Sequence, residues 1–158
     1  MFFEITDETR MAALGTALAA VLESGTVVGL YGTLGAGKTR LVQAIARACG
    51  VTQQPVVSPT FVLLQEYEGR IPIYHFDAYR MRDEDEFLEL GPDEYFEGSG
   101  LVLIEWADRV ENVLPPERVE IHIEVTGEQS RRVEVRAVGA KYAGVLDQLR
   151  VRKDDFAT

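Results

Sequence analysis

The sequence predicts an α/β fold built on a mixed, mainly parallel sheet with hairpin additions, and three stretches carry that prediction. Residues 26–50, TVVGLYGTLGAGKTRLVQAIARACG, read as a short apolar strand, a glycine-rich turn and a helix with Leu41, Val42, Ile45 and Ala48 at helical spacing. Residues 101–105, LVLIE, form a continuous apolar run of the kind buried in a parallel sheet. Residues 120–125 and 131–138, EIHIEV and RRVEVRAV, alternate strictly, and the connection at 126–130 reads as a hairpin turn.

The other elements fall between these. Residues 2–6 read as a short strand. Thr6 and Asp7 are capping residues for a helix from Glu8 to about Ser24, with Met11, Leu14, Leu18, Val21 and Leu22 on one face and Gly25 closing it. Gly50 suits the position just past the second helix. Residues 51–61 show no period, and Pro55 and Pro59 discourage regular structure. Residues 61–67 and 71–77 flank a Gly-containing connection, which predicts a second hairpin. An acidic helix is expected over 81–90, its charge run a solvated face, followed by a turn-rich stretch at 91–100. Residues 107–119, with Pro115 and Pro116, read as a connector, and 140–150 as a short last helix.

At 158 residues the chain is expected to form one domain over 1–150, with a charged tail at 151–158 that frays. A net charge of −10 argues against a broad grip on a nucleic-acid backbone and suits a partner with a basic face. No apolar run approaches the roughly 18 residues of a membrane span. The N-terminus MFFEITDETR lacks the basic and apolar regions of a signal peptide, so a cytoplasmic location is expected. One cysteine, Cys49, excludes an internal disulfide, and with only His75 and His122 no His/Cys metal cluster is expected.

The chemistry lies in the glycine-rich turn, Gly32-Thr33-Leu34-Gly35-Ala36-Gly37-Lys38-Thr39. It fits the pattern G-x-x-x-x-G-K-[ST] with a strand before it and a helix after it. Such a loop turns its backbone N–H groups onto an anion, reinforced by the positive end of the helix, and its glycines keep Cβ atoms out of the way. Lys38 supplies an ammonium for the β- and γ-phosphates, and the Thr39 hydroxyl is placed to ligate Mg²⁺. A nucleotide-phosphate site is therefore predicted. Glu105 closes the apolar run at 101–105, the Walker-B arrangement that holds the metal or its water opposite Thr39; Asp is commoner there, and direct and water-mediated contact both remain open. Asp77 ends a strand, where either a water-positioning carboxylate or a helix cap belongs. Thr60 is either a γ-phosphate or Mg²⁺ contact or a turn residue. His75 alternates with apolar neighbours and reads as a satisfied structural histidine. Trp106 reads as core or lid packing, or as an interaction or switch residue. The absence of an N-K-x-D motif speaks against GTP.

With these residues in view, the chain resembles the bacterial TsaE family, the small P-loop ATPase of tRNA threonylcarbamoyladenosine (t6A) biosynthesis. The resemblance rests on the loop at 32–39, on Ser58-Pro59-Thr60-Phe61, on His75-x-Asp77-x-Tyr79-Arg80 and on Leu103-Ile104-Glu105-Trp106. It implies a three-layer P-loop fold, ATP and Mg²⁺ as cofactors, and partnership with the TsaD–TsaB assembly that modifies adenosine 37 of ANN-decoding tRNAs. The tRNA would be met only through that complex, and the nucleotide cycle would reset it between turnovers. The resemblance further implies Thr39 and Glu105 as Mg²⁺ ligands and Lys38, Asp77, Glu105 and Thr60 as the catalytic set. Residues 32–39 with Arg40 would form the phosphate cradle, and the segment Thr6 to Glu8, with the hairpin near Gln129–Arg131, would lie around the adenine. Arg80, Arg82 and Arg109 are candidates for an arginine finger, none of them assignable. The alternatives are an ATP-binding assembly module that does not hydrolyse and a small-molecule kinase; for the kinase, the acidic stretch 83–97 stands where an arginine-rich lid is needed.

Overall fold

The computed structural model describes residues 1–52 and 63–156. Within them lie seven strands: β1 (Phe2–Ile5), β2 (Val27–Tyr31), β3 (Leu64–Tyr67), β4 (Ile73–Asp77), β5 (Leu101–Glu105), β6 (Arg118–Val125) and β7 (Arg131–Val138). They form one sheet in the order β1-β7-β6-β2-β5-β4-β3. Its centre, β6-β2-β5-β4, is parallel, and antiparallel strands finish it at both margins. The apolar run at 101–105 takes the buried central place its composition demands, with every residue of β2 and β5 buried. The two alternating segments form the β6–β7 hairpin, closed by Thr126 N–H donating to Ser130 O.

Helices cover both faces. On one, α1 (Glu8–Val21), α2 (Lys38–Ala48) and α5 (Ala143–Arg152) bury Leu14, Leu18, Leu41, Ile45 and Leu149 against Val28, Leu30, Leu101 and Leu103. On the other, α3 (Glu84–Leu88), α4 (Pro92–Phe96) and a 3₁₀ segment, Ala107–Val113, contribute to a second core around Phe76, Phe87, Val102 and Ile104. This is the three-layer α/β arrangement. Among the described residues no helix is long and apolar enough to cross a membrane.

Several boundaries depart from the expectation. Helix α1, capped by the Asp7 carboxylate accepting from Arg10 N–H, stops at Val21 rather than Ser24. Leu22 is already extended, and Gly25 N–H donates to Gly100 O, so the chain has turned to join the sheet before the helical pattern runs out. Gly25 shapes this connection rather than the helix end. Helix α2 does end as expected: Val51 N–H reaches Ala46 O, Gly50 N–H reaches Arg47 O, and Gly50 lies at φ 87°. Residues 91–100 are not all turn, because Gly91 in the left-handed region and Pro92 at the first helical position start α4. Residues 107–113 are 3₁₀ rather than a plain connector, since Ala107 and Val110 are buried in the second core. Ser58-Pro59-Thr60-Phe61, and with them Thr60, lie outside the described residues.

Candidate functional site

The carboxyl ends of β2, β4 and β5 deliver Gly32, Asp77 and Glu105 to one edge of the sheet, and α2 starts above them. At the helix start Gly37 has φ 113°, a left-handed conformation that an L side chain rarely adopts. The chain can thus reverse directly into Lys38 and Thr39. Leu34 to Arg40 line a cavity of about 440 Å³ whose other walls include Asp77, Tyr79, Arg80, Glu105 and Trp106. Of the described residues expected to act on phosphate, Leu34 to Arg40, Asp77 and Glu105 line this one space, while Gly32 and Thr33 stand behind it as the carbonyl partners of Lys38.

Lys38 points into the loop. Its Nζ donates to Gly32 O at 2.6 Å and Thr33 O at 3.0 Å and lies 3.8 Å from the centroid of the Trp106 ring. Burial lowers the pKa of this ammonium, opposed by the negative charges of Glu105, Asp108 and Asp77. Thr39 Oγ1 donates to Glu105 Oε1 at 2.7 Å, and His75 Nε2 stands 2.5 Å from Glu105 Oε2. Asp77 and Glu105 are directly opposite in the β4–β5 register, with Asp77 Oδ1 accepting from Tyr79 N–H at 2.9 Å. Asp77 therefore lies beside the glycine loop while also shaping a local turn.

The donor set fits Mg²⁺. Thr39 and Glu105 bring two hard oxygen donors together at the cavity wall, while no larger cage of His, Cys, Asp or Glu exists among the described residues. Mg²⁺ favours such a site, taking one or two protein oxygens and completing its shell with water and phosphate.

A second cleft of about 900 Å³ adjoins the loop on its other side and shares Gly35, Ala36, Gly37 and Arg40 with the first. Asp7, Glu8, Gln129 and Arg131 line it, so the N-terminal segment and the late hairpin do meet there. Glu8 pairs with Arg40.

Two features had no foresight in the sequence. Arg131 Nε donates to Ala36 O at 2.9 Å and its Nη2 to Gly35 O at 3.3 Å, so the hairpin grips the glycine loop from outside. Trp106 has φ 58° and ψ 42°, strained for a bulky residue, and packs at a tilt against Tyr79 with centroids 4.7 Å apart. Arg109 lies over both rings, whereas Arg82 turns to Glu86 on α3. For the His75–Glu105 contact a signal was available: alternation along β4 puts His75 on the same sheet face as Asp77.

The family described as "Threonylcarbamoyl adenosine biosynthesis protein TsaE" matches residues 5–133. The protein named tRNA threonylcarbamoyladenosine biosynthesis protein TsaE from Bacillus subtilis is 43% identical over 144 residues, covering 90% of this chain and 88% of that protein. Its namesake from Treponema pallidum is 40% identical, with 78% of this chain and 91% of the relative aligned. Among solved structures, Bacillus subtilis YdiB superposes with a TM-score of 0.84 at 34% identity, covering 97% of this chain and 95% of its own.

Proposed function

The chain belongs to the TsaE family, and from that premise we propose that it is a slow Mg²⁺-dependent ATPase acting with a TsaD–TsaB assembly in t6A modification of tRNA. In this reading hydrolysis permits repeated turnover of the assembly, in the cytoplasm. One observation carries it: Lys38, Thr39 and Glu105 converge on a single cavity at the mouth of the glycine loop.

The ammonium of Lys38 already sits in the cradle, and triphosphate binding exchanges its carbonyl partners Gly32 and Thr33 for β- and γ-phosphate oxygens. Backbone N–H groups of Gly35 and Gly37 to Thr39, at the start of α2, stabilise the same charge, while the Ala36 N–H is taken by Thr33 O. Thr39 and Glu105 would hold Mg²⁺, which when bound neutralises charge shared between the β- and γ-phosphates. Asp77, turned by the Tyr79 N–H, orients the attacking water or the outer shell of the metal, while Trp106 limits access of bulk water. The second cleft accommodates the nucleoside between Asp7–Glu8 and Gln129–Arg131. Without an assigned arginine finger, a group worth about 10³–10⁵ in rate, the isolated protein is expected to be slow and to depend on its partners.

The test is ATP hydrolysis by wild type and Lys38→Ala, each with and without a TsaD–TsaB pair. Stimulation of the wild type by the pair, lost in Lys38→Ala, is the expected result. Wild-type hydrolysis by Lys38→Ala would overturn the mechanism. Repeated t6A formation with a non-hydrolysable analogue, as efficient as with ATP, would make occupancy rather than hydrolysis the working step.

A further inference from the structure

His75 is a buried polar side chain for which the mechanism above has no task. It lies on the sheet face that carries Asp77 and Glu105 at the site and Ile73, Leu101 and Leu103 in the core, and its side chain is 0% exposed. Nε2 meets Oε2 of Glu105 at 2.5 Å, and the other oxygen of that carboxylate accepts the Thr39 hydroxyl. The opposite ring nitrogen, Nδ1, is buried without a partner among the described residues. A buried polar atom left unmatched is destabilising, and an apolar side chain at such a position would avoid that cost. Core filling therefore does not account for an imidazole here. Its polar partner is Glu105. With Glu105 ionised, Nε2 carries the proton and donates, and the unmatched atom is a lone pair on Nδ1.

We propose that His75 is a positioning residue that holds Glu105 Oε2 against the sheet, so that Oε1 is presented together with the Thr39 hydroxyl to the Mg²⁺ of a bound nucleotide. The inference rests on the Mg²⁺–ATP reading above. A glutamate has three side-chain torsions, and a carboxylate held by an outer partner meets the metal already ordered. The strand register provides the geometry: His75 opposes Leu103, one pleat deeper than the Asp77–Glu105 pair, so the ring reaches the carboxylate from below and leaves the cavity side open.

The experiment measures, by titration calorimetry, the affinity for a non-hydrolysable ATP analogue as Mg²⁺ is raised from zero, in wild type, His75→Gln, His75→Asn and His75→Leu. Gln places an N–H near the position of Nε2, whereas Asn reaches only as far as Nδ1 and Leu offers no donor. The expected result is that Asn and Leu need about 10–100-fold more Mg²⁺ for the same gain in affinity, with metal-free affinity within about twofold of wild type. Gln is expected to restore most of the response. Thermal unfolding of each variant identifies those that fold, and either Asn or Leu suffices for the comparison with Gln. If neither folds, His75→Gln carries the test alone, and a Mg²⁺ response shifted as far as 100-fold overturns the proposal. Equal Mg²⁺ responses in Gln, Asn and Leu, whether all unshifted or all shifted alike, overturn it too. A wild type whose affinity ignores Mg²⁺ overturns the metal reading itself, a result distinct from a normal wild type with indifferent variants.

Discussion

Lys38 is the residue on which charge and burial conflict most openly. Burial lowers its pKa, and the carboxylates of Glu105, Asp108 and Asp77 only partly offset this. A lysine whose folded pKa lies below its unfolded value releases its proton first in the native state, so stability rises with pH between the two values. Phosphate binding needs the ammonium, so affinity moves the other way. Nucleotide affinity is expected to fall about tenfold per pH unit above the Lys38 pKa, beginning below the ordinary lysine value of 10.5, while the melting temperature gains over the same window. Lys38→Met should remove both slopes. Calorimetric binding and thermal melts across alkaline pH check the two together.

At the scale of elements, the site depends on how closely α1 lies on α2. A Cβ placed on Gly15 would overlap that of Ala44 and press on the Ala44–Ile45 backbone, so the two helices touch where Gly15 has no side chain. Gly15→Ala is expected to destabilise the fold by about 1–3 kcal/mol through overpacking, although alanine is the better helix former. Because α2 begins with Lys38 and Thr39, nucleotide affinity should fall as well. Denaturant unfolding gives the first quantity and nucleotide titration the second. An increase in stability would show that the α1–α2 contact yields to the extra methyl.

At the scale of the whole molecule, the N-terminal segment and the late hairpin meet beside the glycine loop. Strand β1 pairs with β7, and Arg131 at the start of β7 binds the loop carbonyls of Gly35 and Ala36 across about 95 residues of sequence. Holding these carbonyls from outside fixes the loop backbone. Arg131→Ala is expected to weaken nucleotide affinity by about tenfold and, because hydrogen bonds within the folded chain are lost, to lower the melting temperature as well. Arg131→Lys should restore only a small part, because one ammonium cannot reproduce the forked donors that also engage Gly127 O and Ser130 O. Nucleotide titration and thermal melts separate these outcomes.

What the sequence determined by itself was local: the strand, glycine turn and helix at 26–50, the buried run ending in Glu105, and the alternating hairpin. These are legible because backbone angles and burial periods repeat over a few residues and need no distant partner. The tertiary structure alone decided where α1 stops, that 92–96 and 107–113 become short helical pieces against the second core, and that Trp106 covers Lys38. It also decided that His75 meets Glu105 across 30 residues and that Arg131 grips the loop across 95. Those contacts join side chains that no period relates. They arise only when parallel strands bring His75 and Glu105 to one sheet face, and when the hairpin at the other margin folds back over the loop.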